Sequence, residues 1–281
     1  AAIPALARDQ DRHLATLALS FLGLLSDHVV PKELRPNRAR FVRKLFGARA
    51  RALGWRSPKG EADDKRLLRP SLLGAVGYLG EDPVLVAQAR RLADKWVAEH
   101  PAKGTMRTSI DPDLVGLVLG VAAYHGDRAF FDRLHAAAKA EPELKERRQL
   151  LGAMANFRDP ETVKAALAIT LTDEFEARDS IALLWGAFGE DSTRELAYQF
   201  VKANLDKLLA RLPRDSGARF IRVASAFCDE AHRDDAAAFF KDRAPTYLDG
   251  PRALSRMTES VDLCIARKRA HQPSVVALLK K

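Results

Sequence analysis

Apolar residues recur at three- and four-residue intervals in almost every window of the chain, and the strict alternation of a half-buried strand is missing. Val42, Leu45, Phe46, Ala50 and Leu53 form one such stripe, with Arg40, Arg43, Lys44 and Arg51 on the other faces. That is the pattern of an amphipathic helix. The pattern as a whole predicts an all-α protein of about fifteen helices.

Several helix starts are marked by Asp followed by Pro, which sets a capping carboxylate ahead of a residue whose missing N–H costs nothing in the first turn. Asp82-Pro83, Asp111-Pro112 and Asp159-Pro160 are expected to open helices in this way. A weak repeat emerges when the junctions are stacked: Gly74 to Asp82, Gly120 to Asp127, Gly152 to Asp159, and Gly186 to Asp191. The glycines are spaced 46, 32 and 34 residues apart, the period of paired-helix arrays whose units cannot bury their faces alone. The expected architecture is therefore a superhelical stack of antiparallel helix pairs, a solenoid of the HEAT or armadillo kind, with a concave side for a partner. No Ser/Gly-rich or acidic linker divides residues 1–281, so one continuous domain is expected.

The composition, 47% hydrophobic and 30% charged, suits a globular protein with a sizeable core. The longest apolar stretch, Leu14 to Leu25, is broken by Thr16, Ser20 and Gly23 and falls short of the roughly 20 residues a bilayer span needs. No membrane span is expected, and residues 1–8 lack the pattern of a secretory signal. Net charge is +9, and Lys32 to Arg56 holds nine Lys/Arg against one acid, Glu33. Such a segment attracts polyanions, but its apolar stripe, Phe46 included, is that of an ordinary amphipathic helix. It reads as a solvated or domain-contacting face, and nucleic acid is not an expected partner.

Candidate chemistry is sparse. No two of the seven histidines stand in a His-Glu-x-x-His arrangement, which would place both imidazoles on one helical face around zinc. His135 precedes Ala-Ala-Ala-Lys, and His125 stands at a helix end, where it fits a C-terminal cap. Gly74-Ala-Val-Gly77 lacks the lysine and the strand of a phosphate loop, and no Gly-x-Ser-x-Gly turn occurs. The acid pairs Asp63-Asp64, Asp234-Asp235 and Glu190-Asp191 are expected at helix starts, where capping explains them. No catalytic residue, metal ligand or cofactor is expected within these residues. Cys228 and Cys264 are in no Cys-x-x-Cys motif; they are expected near helix ends, with either a disulfide stapling the last repeat in an exported protein or two buried thiols as their state.

Several blocks resemble a known family. Leu67-Leu68-Arg69, Ile110-Asp111-Pro112-Asp113-Leu114 with Tyr124-His125-Gly126-Asp127, Arg178-Asp179, Ala197 to Asn204, and Phe239-Phe240 occur in the order and spacing of the C-terminal domain of the thermolysin-like zinc aminopeptidases. That group includes the puromycin-sensitive and alanyl aminopeptidases. Phe227-Cys228, Gly250 to Leu254, Glu259 and Cys264 look more like bacterial members. The resemblance implies a helical bowl that closes over a zinc-bearing catalytic domain of the same polypeptide and restricts how peptides reach the reaction centre. Catalysis, the zinc and the loop that holds the substrate's amino group then lie outside this chain, which is expected to be inactive alone. Gly152-Ala153-Met154-Ala155-Asn156 is one substitution from that loop motif, but Ala155 offers no carboxylate to an ammonium. Val115 and Glu176 depart from the family's usual arginines. Trp185, Phe188, Arg219 and Arg222 are the candidates for lining the chamber, although spacing with Ile181 and Leu184 also fits both aromatics as core. Two other functions fit the residues alone: a free-standing helical-repeat scaffold, or a nucleic-acid-binding repeat protein built on the basic segment.

Overall fold

A computed structural model describes residues 2–9, 11–99 and 107–281. It is all-α, with no strand among the described residues. Its Cα positions divide into two compact units: residues 1–126 with 272–281, and residues 127–271. Nothing in the texture of the sequence marks a division at Gly126.

The first unit holds α1 (Ala2–Arg8), α2 (Arg12–Ser20), α3 (Arg35–Val42), α4 (Ala48–Leu53), α5 (Asp63–Gly74), α6 (Pro83–Ala98) and α7 (Val115–Tyr124). A π-helical stretch, Arg43–Gly47, joins α3 to α4 without a break. The predicted stripe is the buried face of this helix: Val42, Phe46 and Ala50 are sealed from solvent, while Leu45 and Leu53 are half-buried. Arg40, Lys44 and Arg51 are exposed as expected, but several basic residues of the segment are also tied into the fold. Arg38 is buried and donates to Asp27 at 2.5 Å and to the Leu25 carbonyl at 3.0 Å. Arg43 donates to the Gly80 carbonyl, and Arg51 pairs with Asp82 at 2.5 Å.

Asp82 is buried and caps α6 as predicted, accepting from the Leu85 N–H at 3.1 Å. Asp111 does not cap its own helix. Its carboxylate accepts from the Ser57 N–H at 2.9 Å, and α7 starts only at Val115. A turn closed by the Leu114 N–H on the Asp111 carbonyl delays the start. Leu67-Leu68-Arg69 lies inside α5. Arg69, fully buried, pairs with Glu61 and donates to the carbonyls of Leu53 and Gly54, closing the end of α4. Gly54 has φ +59, which ends that helix in a conformation most side chains resist. His125 is the C-terminal cap residue of α7, and its Nε2 lies 2.9 Å from the Gly77 carbonyl.

The second unit comprises α8 (Arg128–Ala140), α9 (Leu144–Met154), α10 (Pro160–Ile169), α11 (Ala177–Ser180), α12 (Ala182–Ala187), α13 (Arg194–Arg211), α14 (Gly217–Arg222), α15 (Glu230–Phe240) and most of α16 (Gly250–Leu279), whose last turns belong to the first unit. Asp127 and Asp159 cap α8 and α10 through the N–H groups of Phe130 and Thr162 at 2.9 and 2.8 Å. The Gly186 junction is fastened differently. Thr193 donates to the Ala187 carbonyl at 2.8 Å and Arg194 to that of Phe188 at 3.0 Å, and Asp191, the expected cap, stands 3.8 Å from Arg194. Gly186 itself rests on Ala155: a Cβ there would stand 2.1 Å from the Ala155 carbonyl oxygen. The core of this unit is built from Phe130, Phe131, Phe157, Leu184, Tyr198, Phe220 and Phe240, all sealed.

Candidate functional site

The four residues proposed to line a chamber fall in the second unit, and the structure separates them. Phe188 is core, 6% exposed. Trp185 is half-buried on α12, one residue before the contact of Gly186 with Ala155. Its ring lies 5.2 Å from that of Phe220 and carries the Arg219 guanidinium 4.6 Å above its centroid. A guanidinium over an indole face is held by the ring quadrupole while keeping its donors free for a ligand. The indole Nε1 is buried and finds no acceptor among the described residues. Arg222 is one turn beyond Arg219 on α14, and both are exposed. Helix α14 is set in place by Gly217, where a Cβ would overlap the Tyr247 ring at 2.4 Å. The arrangement is one indole capped by one guanidinium, with Arg222 exposed on the same helix as Arg219; exposed guanidinium donors suit an acidic or carbonyl-rich ligand.

A second polar cluster was not legible as a unit. Phe227 stacks on the His232 ring at 3.8 Å, with the planes 5° apart. His232 Nδ1 lies 2.7 Å from Asp229 and Nε2 2.8 Å from Glu195, so both ring nitrogens face carboxylates. Burial opposes the charge of His232, but these hydrogen bonds outweigh it and raise its pKa. For Asp229, burial likewise works against the charge, and hydrogen bonds from the backbone and ring of His232 bring its pKa down. Asp235 accepts from Lys202 at 2.8 Å and from the Tyr198 hydroxyl at 2.7 Å. Lys202, then Tyr198, hold the Asp235 carboxyl below its ordinary value. Burial first, then the Asp235 hydrogen bond, raises the Tyr198 phenol. The pair Asp234-Asp235 was expected at a helix start. It lies inside α15, whose cap is Asp229; Asp235 pairs across to α13, while Asp234 pairs with the adjacent Arg233 at 2.8 Å. The sequence signal for this cluster was the Glu195, Tyr198, Lys202 spacing of three and four on α13, which puts three polar groups on one face.

Cys228, in the segment before α15, is joined to Cys264, with the Cα atoms 5.3 Å apart. Cys264 lies in the middle of the long α16 rather than near a helix end. The other family blocks are structural. Asp179 is caught by Arg148 of α9 at 2.7 Å, Ile110 and Leu114 are core, and Phe240 is sealed. Gly152 to Asn156 ends α9, with the Asn156 side chain turned back on the Gly152 carbonyl at 2.7 Å. Among the described residues, no helix is long and apolar enough to cross a membrane.

Comparison with known proteins accounts for this mixture of packing blocks and a modest polar surface. Rice aminopeptidase M1-B (Oryza sativa subsp. japonica) is 27% identical over 255 residues, covering 89% of this chain and 28% of the rice protein. Rice aminopeptidase M1-C is 27% identical over 221 residues, 78% of this chain and 24% of that protein. Arabidopsis thaliana aminopeptidase M1 is 26% identical over 175 residues, 61% of this chain and 19% of its own length. The chain thus spans between 19% and 28% of the length of these plant relatives. Residues 2–263 match the ERAP1-like C-terminal domain, and the chain belongs to that family, the C-terminal domain of M1 aminopeptidases.

Proposed function

We propose that residues 1–281 act as a single C-terminal domain of a zinc aminopeptidase, enclosing the chamber through which peptides reach the reaction centre and shaping which N-terminal residues are removed. The observation that carries this reading is the family match over residues 2–263, beside aminopeptidase relatives of which the chain covers only about a quarter. The helix pairs then stack as a repeat whose concave side faces the chamber, and the domain's partners are its own catalytic domain and the peptide substrate. Zinc and the hydrolytic groups belong to the catalytic domain. The polar residues described above do not fit the metal: the two cysteine sulfurs are spent on each other, and the carboxylates around His232 sit at opposite ring nitrogens, so their donors do not converge. In the chamber, Trp185 and Arg219 position the peptide beyond the scissile bond, the indole by stacking and the guanidinium by its free donors.

Two assays test this. In the full-length parent enzyme, Trp185→Ala and Arg219→Ala are expected to raise KM for peptides several residues long while leaving kcat/KM for single-residue chromogenic amides unchanged. Equal effects on both substrates, or on neither, remove these residues from the chamber. The isolated chain supplied with zinc is expected to release no product from those amides, and turnover that tracks its concentration would end the assignment of chemistry to another domain.

A further inference from the structure

The first unit contains a cleft of about 680 Å³ between α1, the π-helical stretch with α4, and α5, within the size range of ligand sites. Its floor is apolar: Leu68 is buried, and Leu45 and Leu53 are half-buried. Its walls carry Arg8, Arg12, Lys44, Arg49 and Lys65 against only Glu61 and Asp64. Both acids are already committed, Asp64 to Arg12 at 3.1 Å and Glu61 to the buried Arg69. Arg49 donates to the carbonyls of Asp9 and Ala7 at 2.7 and 3.4 Å, partners that satisfy its N–H groups without cancelling its charge. Arg8, Lys44 and Lys65 are exposed and pair with no carboxylate among the described residues. Four unbalanced cations therefore surround a greasy floor.

We propose that this cleft is a docking groove for an acidic peptide segment of a partner polypeptide, its carboxylates on Arg8, Lys44 and Lys65 and an apolar side chain on Leu45, Leu53 and Leu68. The cations stand on three separate helical elements, so one compact anion cannot meet them all, whereas carboxylates spaced along a chain can. A leucine-lined floor offers an apolar side chain a place to bury its area away from water. It offers a nucleic acid nothing to stack on, since none of the residues lining the cleft is aromatic. The groove lies on the basic segment that dominates the net charge, and it is independent of the chamber reading, because none of its residues is a chamber candidate.

The test is fluorescence anisotropy of the 281-residue chain with a fluorescein-labelled Glu-Leu-Glu-Glu-Leu-Glu peptide at low salt, beside its Gln-Leu-Gln-Gln-Leu-Gln counterpart and a labelled DNA duplex. Saturable binding of the acidic peptide is expected, weakening as salt rises. Lys44→Glu with Lys65→Glu should reduce affinity by about tenfold or more. Arg252→Glu with Arg256→Glu, at exposed positions of α16, should leave it unchanged. Both lysines are exposed, so the first variant should keep the wild-type melting profile; if it does not, Lys44→Gln with Lys65→Gln, expected to weaken binding in the same direction, replaces it. The proposal is overturned if the glutamine peptide binds as tightly, if neither lysine variant weakens binding, if nothing saturates, or if the duplex displaces the peptide with equal or higher affinity.

Discussion

Replacing glycine by alanine inside a helix should have opposite signs at two positions of the second unit, and the difference isolates the α9–α12 contact. At Gly152 in α9, an added methyl meets nothing within 4 Å. At Gly186 in α12, it would lie 2.1 Å from the Ala155 carbonyl oxygen and 2.7 Å from the Ala155 Cβ, well inside the 3.5–4.0 Å at which carbon atoms attract (roughly). The obstacle is backbone, so no side-chain rotation relieves it and α12 must move off α9. Overpacking of this kind costs about 1–3 kcal/mol, at the upper end when the backbone must shift. The better helix propensity of alanine returns about 0.8–1 kcal/mol at either site. Gly186→Ala should therefore destabilise by about 2 kcal/mol, while Gly152→Ala should stabilise by about 0.5–1 kcal/mol. At about 2–4 °C per kcal/mol for a unit of this size, the melting temperature should fall by about 4–8 °C in the first variant and rise by about 1–4 °C in the second. Urea unfolding followed by circular dichroism should show the same signs as shifts of midpoint at unchanged slope. Because Trp185 adjoins Gly186, its fluorescence should change in the first variant only. A neutral or stabilising Gly186→Ala, or equal losses at both sites, would refute the close approach.

Three further outcomes follow from the buried pairs and the bridge. The Cys228–Cys264 bond spans a sequence separation of 36, so loop closure predicts a loss of about 3–4 kcal/mol for Cys228→Ser with Cys264→Ser; two titratable thiols in denaturant without reductant would contradict the bridge itself. Glu61→Gln strands the fully buried Arg69 guanidinium and should cost about 3–5 kcal/mol, measured by urea unfolding, whereas a loss below about 1 kcal/mol would mean that the Leu53 and Gly54 carbonyls alone suffice. His232 has a raised pKa in the fold, so its contribution to stability is complete below the unfolded value of 6.5 and is lost as pH rises through the folded one. His232→Gln should flatten the melting temperature against pH above that value, and an unchanged pH profile, or a ring whose NMR titration midpoint lies below 6.5, would mean that Asp229 and Glu195 do not hold the charged ring.

The all-helical fold was legible because burial follows the 3.6-residue period faithfully, as the sealed Val42, Phe46 and Ala50 show. Capping aspartates were legible where the carboxylate is free to turn back on its own helix, as at Asp82 and Asp159. They misled where tertiary structure offered a better donor. Asp111 is taken by the Ser57 N–H, 54 positions away in sequence, and Asp235 by Lys202 and Tyr198 of another helix. A Pro after an Asp, or two adjacent acids, reports the local option only, and the longer-range partner depends on packing that no short window contains.

The same logic explains why a family was readable and a site was not. The blocks that carried the resemblance proved to be fasteners: Arg69 beneath the end of α4, Asp179 held by Arg148, and Phe240 sealed in the core. Such residues are identifiable in sequence because one geometry demands one residue type. A binding surface is defined by subtraction, as what remains after the internal pairings are made. Within the basic segment, Arg38 and Arg51 are paired to Asp27 and Asp82, while Arg43 and Arg49 serve backbone carbonyls. Only with that subtraction complete does Lys44 stand out beside Arg8 and Lys65, and only with Phe188 assigned to the core does Trp185 remain as the platform beneath Arg219. Charge count alone points to a surface spread over the whole segment; the pairings take Arg38, Arg43, Arg49 and Arg51 into the fold and leave Lys44 exposed at the cleft beside α4 and α5.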